Sequence, residues 1–311
     1  MTTSLRYLVV LASLLLAADT AGAQTLRERI AQRRAASDTS AGPHNLPPGL
    51  RVIRDVAYGS AGHQRFDVYS QQQASAAPVI LMVHGGGWAY GDKNARGVVD
   101  NKVSHWVRAG FVVISVNYRM LPDAAPLEQA RDVARAIAAA QAQAANWGGE
   151  RSRFVLMGHS AGAHLVALLN AAPARAHELG AAPWLGAVAL DGAAFDVGRI
   201  MRARHVPLFD NAFGSDPAEW EAVSPYQQLT REAPALLAVC SSQRRDSCTQ
   251  AHRFEARAAS LGARVQVLER ELSHGDINQR LGEDGAYTDA VDAFLATLDP
   301  ELARLLAQPG R

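Results

Sequence analysis

The chain has 311 residues, 48% of them hydrophobic and 20% charged, a balance that buries a large core and excludes a disordered chain. A formal net charge of +1 excludes a strongly basic chain of the kind that holds nucleic acid by overall charge, and no nucleic-acid partner is expected. No internal linker or repeat divides the sequence, so residues 50–311 are expected to form a single α/β domain.

Arg6 precedes an apolar run at 7–18, and Ala21, Gly22 and Ala23 form an A-x-A cleavage site before Gln24. Residues 1–23 therefore read as a signal peptide and the chain as exported, periplasmic or secreted. The run of 12 residues is shorter than the roughly 20 needed to span a bilayer, so no membrane anchor is expected after cleavage. Residues 24–49 read as a flexible arm: Arg27, Arg29, Arg33 and Arg34 are interleaved with Glu28, and Pro43, Pro47 and Pro48 follow.

From residue 51 the pattern becomes structural. Segments 51–58 and 65–69 alternate apolar and polar residues, as two antiparallel edge strands joined through Gly59 and Gly62 would. Continuous apolar runs follow at 79–83, 111–116, 154–157, 185–190, 235–239 and 265–268, which predict strands buried on both faces. Helix-compatible stretches at 127–145, 164–172 and 252–261 separate several of them, so the sheet is expected to be mostly parallel. The gap at 192–232, with Phe195, Phe209, Phe213, Trp220 and Tyr226, is too long for one crossover helix and reads as an insertion. Leaving the carboxyl end of a strand, it either walls a ligand site or packs away from it. Cys240 and Cys248, eight residues apart, are candidates for a disulfide in an exported chain.

The chemistry centres on Gly158-His159-Ser160-Ala161-Gly162, a G-x-S-x-G between the run at 154–157 and a helix opening at Ala161. In such an elbow Ser160 sits in a strained strand-to-helix turn, where a Cβ two residues to either side would clash. His84-Gly85-Gly86-Gly87 ends the strand at 79–83, and its glycines can aim N–H groups at an oxyanion. Gly86, Gly87 and Ala161 are the expected donors. The general base must follow the last strand, which selects His274 in Ser273-His274-Gly275. Asp246, in the loop after the 235–239 strand, is the expected acid, with Asp276 and Asp191 as rivals. No H-E-x-x-H, C-x-x-C or phosphate loop occurs, so acyl transfer with neither metal nor cofactor is expected.

Together the glycine run, the elbow, Asp246 and the Ser-His-Gly loop resemble the hormone-sensitive-lipase-like and kynurenine-formamidase-like (BD-FAE-like) branch of the α/β-hydrolases, over roughly 50–298. The resemblance implies an eight-stranded, mostly parallel sheet with helices on both faces and a small cap. It also implies a triad of Ser160, His274 and Asp246, and carboxylesterase activity on small to medium acyl esters. His159 stands where lipase-like members usually carry an acidic residue, which moves the chain toward the formamidase-like and feruloyl-esterase-like side. An arylformamidase-type amide hydrolase is thus the alternative, and a non-catalytic binder on the same fold a further one.

Overall fold

The computed structural model describes residues 46–307, so the expected signal peptide and most of the expected arm lie outside the described residues. Eight strands form one sheet: β1 (Leu50–Ala57), β2 (Arg65–Gln71), β3 (Ala77–Val83), β4 (Val112–Val116), β5 (Gly149–His159), β6 (Gly186–Leu190), β7 (Ala235–Ser241) and β8 (Val265–Arg270). Their spatial order is β1-β2-β4-β3-β5-β6-β7-β8. β1 and β2 pair antiparallel, as does β2 with β4, and every later pairing is parallel.

The helices are α1 (Arg96–Arg108), α2 (Pro126–Gln143), α3 (Ala161–Ala171) and α4 (Ala174–His177), then α5 (Val197–Arg202), α6 (Pro207–Phe213), α7 (Pro217–Ala222) and α8 (Pro225–Gln228) within the insertion. α9 (Ser247–Leu261), α10 (His274–Gln279), α11 (Ala286–Ala296) and α12 (Pro300–Leu306) follow. Among the described residues no helix is long and apolar enough to cross a membrane.

The strand period of two distributes side chains to two cores. Val79, Leu81 and Val83 of β3 face a cluster with Val133, Ile137, Leu165 and Phe254, from α2, α3 and α9. Ile80 and Met82 face the opposite cluster with Val103, Trp106, Leu295 and Leu302, from α1, α11 and α12. The sheet is therefore covered on both faces, which is why its central strands read as unbroken apolar runs. β8 departs from that expectation: it is half-buried because it pairs only with β7 and ends the sheet. Helix α1, which the sequence reading passed over, buries Val99, Val103, Trp106 and Val107 along one helical stripe.

Candidate active site

Ser160 stands between β5 and α3 at φ 56°, ψ −116°, a strained backbone for a residue with a Cβ. Its N–H donates to the Leu190 carbonyl at 2.9 Å, so the end of β6 holds the turn. The flanking glycine is a steric necessity: a Cβ on Gly162 would lie 2.3 Å from the Val83 oxygen. With that space left open, α3 starts directly over the end of β3 and points its N-terminus at the serine.

His274 opens α10, whose cap Ser273 accepts a hydrogen bond from the Asp276 N–H at 3.1 Å. The imidazole Nε2 lies 3.0 Å from Ser160 Oγ and Nδ1 lies 2.5 Å from Asp191 Oδ2. With a carboxylate at Nδ1, that nitrogen carries the proton and Nε2 is left to accept from the serine hydroxyl.

The acid in this line is Asp191, and the expectation of Asp246 is corrected. Asp246 occupies the N-cap position of α9, exposed and without a side-chain capping bond, and the structure does not bring it to His274. Asp276 is occupied elsewhere, its Oδ2 accepting from Ser273 Oγ at 2.5 Å. Asp191 directly follows β6, which runs beside β5 with Leu190 opposite His159, so the register sets the acid next to the nucleophile. Asp191 is fully buried, and Oδ1 accepts from the Ser241 N–H at 2.8 Å and from Ser247 Oγ. Oδ2 accepts from Arg244 Nη1 at 2.6 Å as well as from His274. Burial pushes the Asp191 carboxyl up, but these donors outweigh it and hold the group well below the usual carboxylate range. Cys240 and Cys248 are disulfide-bonded, with Cα atoms 5.1 Å apart.

Gly86, Gly87 and Ala161 line a cavity of about 420 Å³ together with Ser160 and His274. Gly86 and Gly87 adopt φ +124° and +58°, and a Cβ on Gly86 would lie 1.8 Å from the Tyr90 oxygen. The loop is held from behind: Gly86 O accepts from the N–H groups of Ala89 and Tyr90, and Gln129 Nε2 donates to Trp88 O at 2.8 Å. Leu208 and Phe209 of α6 form part of the cavity wall, so the insertion walls the site.

Two histidines of the elbow region brace it. His159 donates from Nε2 to the His274 carbonyl at 3.0 Å, and its ring centre lies 4.5 Å from that of His274. Burial, with the neighbouring His274, pushes His159 down to about 3, so it stays neutral. His164 accepts from Trp88 Nε1 at 3.1 Å and donates to the Val223 carbonyl at 2.7 Å, tying α3 to the glycine loop and the insertion. Burial pushes it down to about 4. Arg244 was missed altogether, since nothing in Arg244-Arg245 tells which of the two turns inward.

A strained serine at the carboxyl edge of a mostly parallel eight-stranded sheet, in register with its histidine and acid, defines an α/β-hydrolase. The comparisons agree. The chain matches the BD-FAE family model over residues 66–187. It is 29% identical to esterase LipC of Mycobacterium tuberculosis over 224 residues, 65% of this chain and 55% of that protein. It is 31% identical to kynurenine formamidase of Danio rerio over 120 residues, 38% of this chain and 39% of that protein. The chain thus spans just over half the length of LipC and about two fifths of that of the kynurenine formamidase. The fold is similar to that of esterase B from Lactobacillus rhamnosis, with TM-score 0.69 and 17% identity, covering 89% of this chain and 94% of that one.

Proposed function

We propose that the protein is an exported serine carboxylesterase acting on small to medium acyl esters. The observation that carries this reading is the unbroken chain of hydrogen bonds Ser160–His274–Asp191 opening on the cavity beside Gly86, Gly87 and Ala161. His274 Nε2 takes the serine proton as Oγ attacks the acyl carbonyl, and Asp191 stabilises the imidazolium that forms. The oxygen that becomes negative is to be met by the N–H groups of Gly86, Gly87 and Ala161, which line the same cavity as Ser160, each able to contribute about 3 kcal/mol at the transition state. His274 then gives its proton to the departing alcohol, and water releases the acyl group by the same steps reversed. A cavity of about 420 Å³ suits a small or medium acyl ester.

Export rests on the apolar run at 7–18 with its A-x-A site and on the Cys240–Cys248 disulfide, a bond that persists in oxidising compartments. N-terminal sequencing of chain recovered from the periplasm or medium is expected to begin at Gln24.

The test of activity is hydrolysis of p-nitrophenyl esters from acetate to decanoate by the mature chain beside Ser160→Ala. Turnover abolished in the variant is the expected result. A folded wild type that turns over none of them refutes the esterase reading. The similarity to kynurenine formamidase favours one second reading, cleavage of an N-formyl arylamine on the same triad. Faster turnover of that amide than of any ester would establish it.

A further inference from the structure

Arg244 is not needed to satisfy Asp191. Oδ1 already has Ser241 N–H and Ser247 Oγ, and Oδ2 has His274 Nδ1. The guanidinium nevertheless sets Nη1 2.6 Å from Oδ2 and 2.9 Å from His274 Nδ1. A fixed positive charge there opposes the positive charge that the imidazole must acquire during acyl transfer. By itself this arrangement slows the reaction.

The rest of the guanidinium is open. Nη1 donates to the Asp191 carbonyl and to its Oδ2, and Nε and Nη2 have no partner among the described residues. The side chain is 37% exposed and lines the same cavity as Ser160. Asp191, the charged residue beside it on that wall, has both oxygens occupied, and Trp88, Tyr90, Leu208 and Phe209 give the cavity an otherwise aromatic and apolar character. The Nε–Nη2 edge is the planar two-donor fork that matches a carboxylate.

Building on the esterase reading, we infer that Arg244 recognises a carboxylate carried by the substrate, so that the preferred esters are anionic. A carboxylate on the outer edge of Arg244 offsets the charge that opposes His274. Binding is therefore coupled to the chemical step, and the preference appears in kcat as well as KM.

Two matched pairs test this and distinguish where the carboxylate lies. For the acyl side the pair is the 4-nitrophenyl monoester of adipic acid and its terminal carboxamide. For the alcohol side it is 4-(carboxymethyl)phenyl butyrate and its carboxamide. In at least one pair the wild type is expected to favour the carboxylate about tenfold in kcat/KM at low ionic strength, the size of one charge-assisted fork that is partly solvated. Added salt shrinks the preference. Arg244→Gln, which also alters general turnover because it touches Asp191, brings the carboxylate-to-carboxamide ratio near one, and Arg244→Lys gives an intermediate ratio. A wild-type ratio near one in both pairs, or a ratio unchanged in Arg244→Gln, overturns the inference while leaving esterase activity standing. No turnover of any of the four esters refutes the esterase reading itself.

Discussion

Replacing Asp191 by Asn is the sharpest perturbation of the site, because it changes one atom and reverses the hydrogen-bond logic around it. An amide oxygen in the Oδ1 place still accepts from Ser241 and Ser247. The amide nitrogen then falls in the Oδ2 place, facing two groups that donate there in the wild type, His274 Nδ1 and Arg244 Nη1. His274 answers by moving its proton to Nε2, where it can no longer accept from Ser160 Oγ. In serine hydrolases this wrong tautomer costs roughly 10⁴ in rate, equivalent to about 5.5 kcal/mol. Arg244, now without its counter-charge, adds a like charge beside the imidazole. Asp191→Asn is therefore expected to lose about 10⁴-fold in kcat on p-nitrophenyl butyrate, with KM changed less than threefold, whereas Asp246→Asn stays within twofold of wild type. Circular dichroism and thermal unfolding verify that both variants are folded. An Asp191→Asn enzyme keeping more than a tenth of wild-type kcat, or an Asp246→Asn enzyme falling with it, would refute the assignment of the acid.

The disulfide bears on the same carboxylate, since Ser241, Arg244 and Ser247, the three residues outside His274 that donate to Asp191, all lie in the loop it closes. The double variant Cys240→Ser/Cys248→Ser is expected to lose about 2–3 kcal/mol of unfolding free energy from the freed loop, and to show kcat lowered several-fold with KM held. Unchanged kcat in the folded variant would mean that the loop holds its shape without the bond. His159 and His164 set an acid limit on stability: their folded values of about 3 and about 4 lie below the ordinary 6.5. The unfolded chain therefore binds the extra protons, so their stabilising contribution is complete above pH 6.5 and falls as pH drops toward 4 and then 3, by at most about 1.4 kcal/mol per pH unit for each histidine. Urea unfolding at pH 7, 5.5 and 4 is expected to follow that fall, with a shallower slope in His164→Gln. A wild-type stability that stays flat over this range would contradict the buried neutral state of both rings.

The parts of the site that could be read from sequence are those where sterics leave one choice. Gly162 must lack a Cβ because the Val83 oxygen occupies the space, and Gly86 because the Tyr90 carbonyl does, so each writes itself into the chain as a fixed glycine spacing. The strand pattern was legible for a similar reason: a sheet covered on both faces demands apolar residues at consecutive positions, as β3 through β7 show. β8 misled because Val265 and Val267 are β-formers at an open edge, where composition matches a buried strand and the environment does not.

The acid was not legible because Asp191 and Asp246 both satisfy the order serine, acid, histidine. Only the pairing of Leu190 with His159, a property of the assembled sheet, decides between them. One local sign pointed the right way: Asp191 is followed by Gly192 where the apolar run at 185–190 ends abruptly, and the structure gives Asp191 φ 49°, a conformation Asp tolerates better than most residues. Placing the acid after β6 has a further consequence. The loop after β7 no longer has to supply the carboxylate, so it supplies the donors around it instead, and with Arg244 it puts a cation where the sequence reading expected an anion. The anion preference inferred for the substrate rests on that exchange, so the acid's position and the anion preference are linked but separately testable.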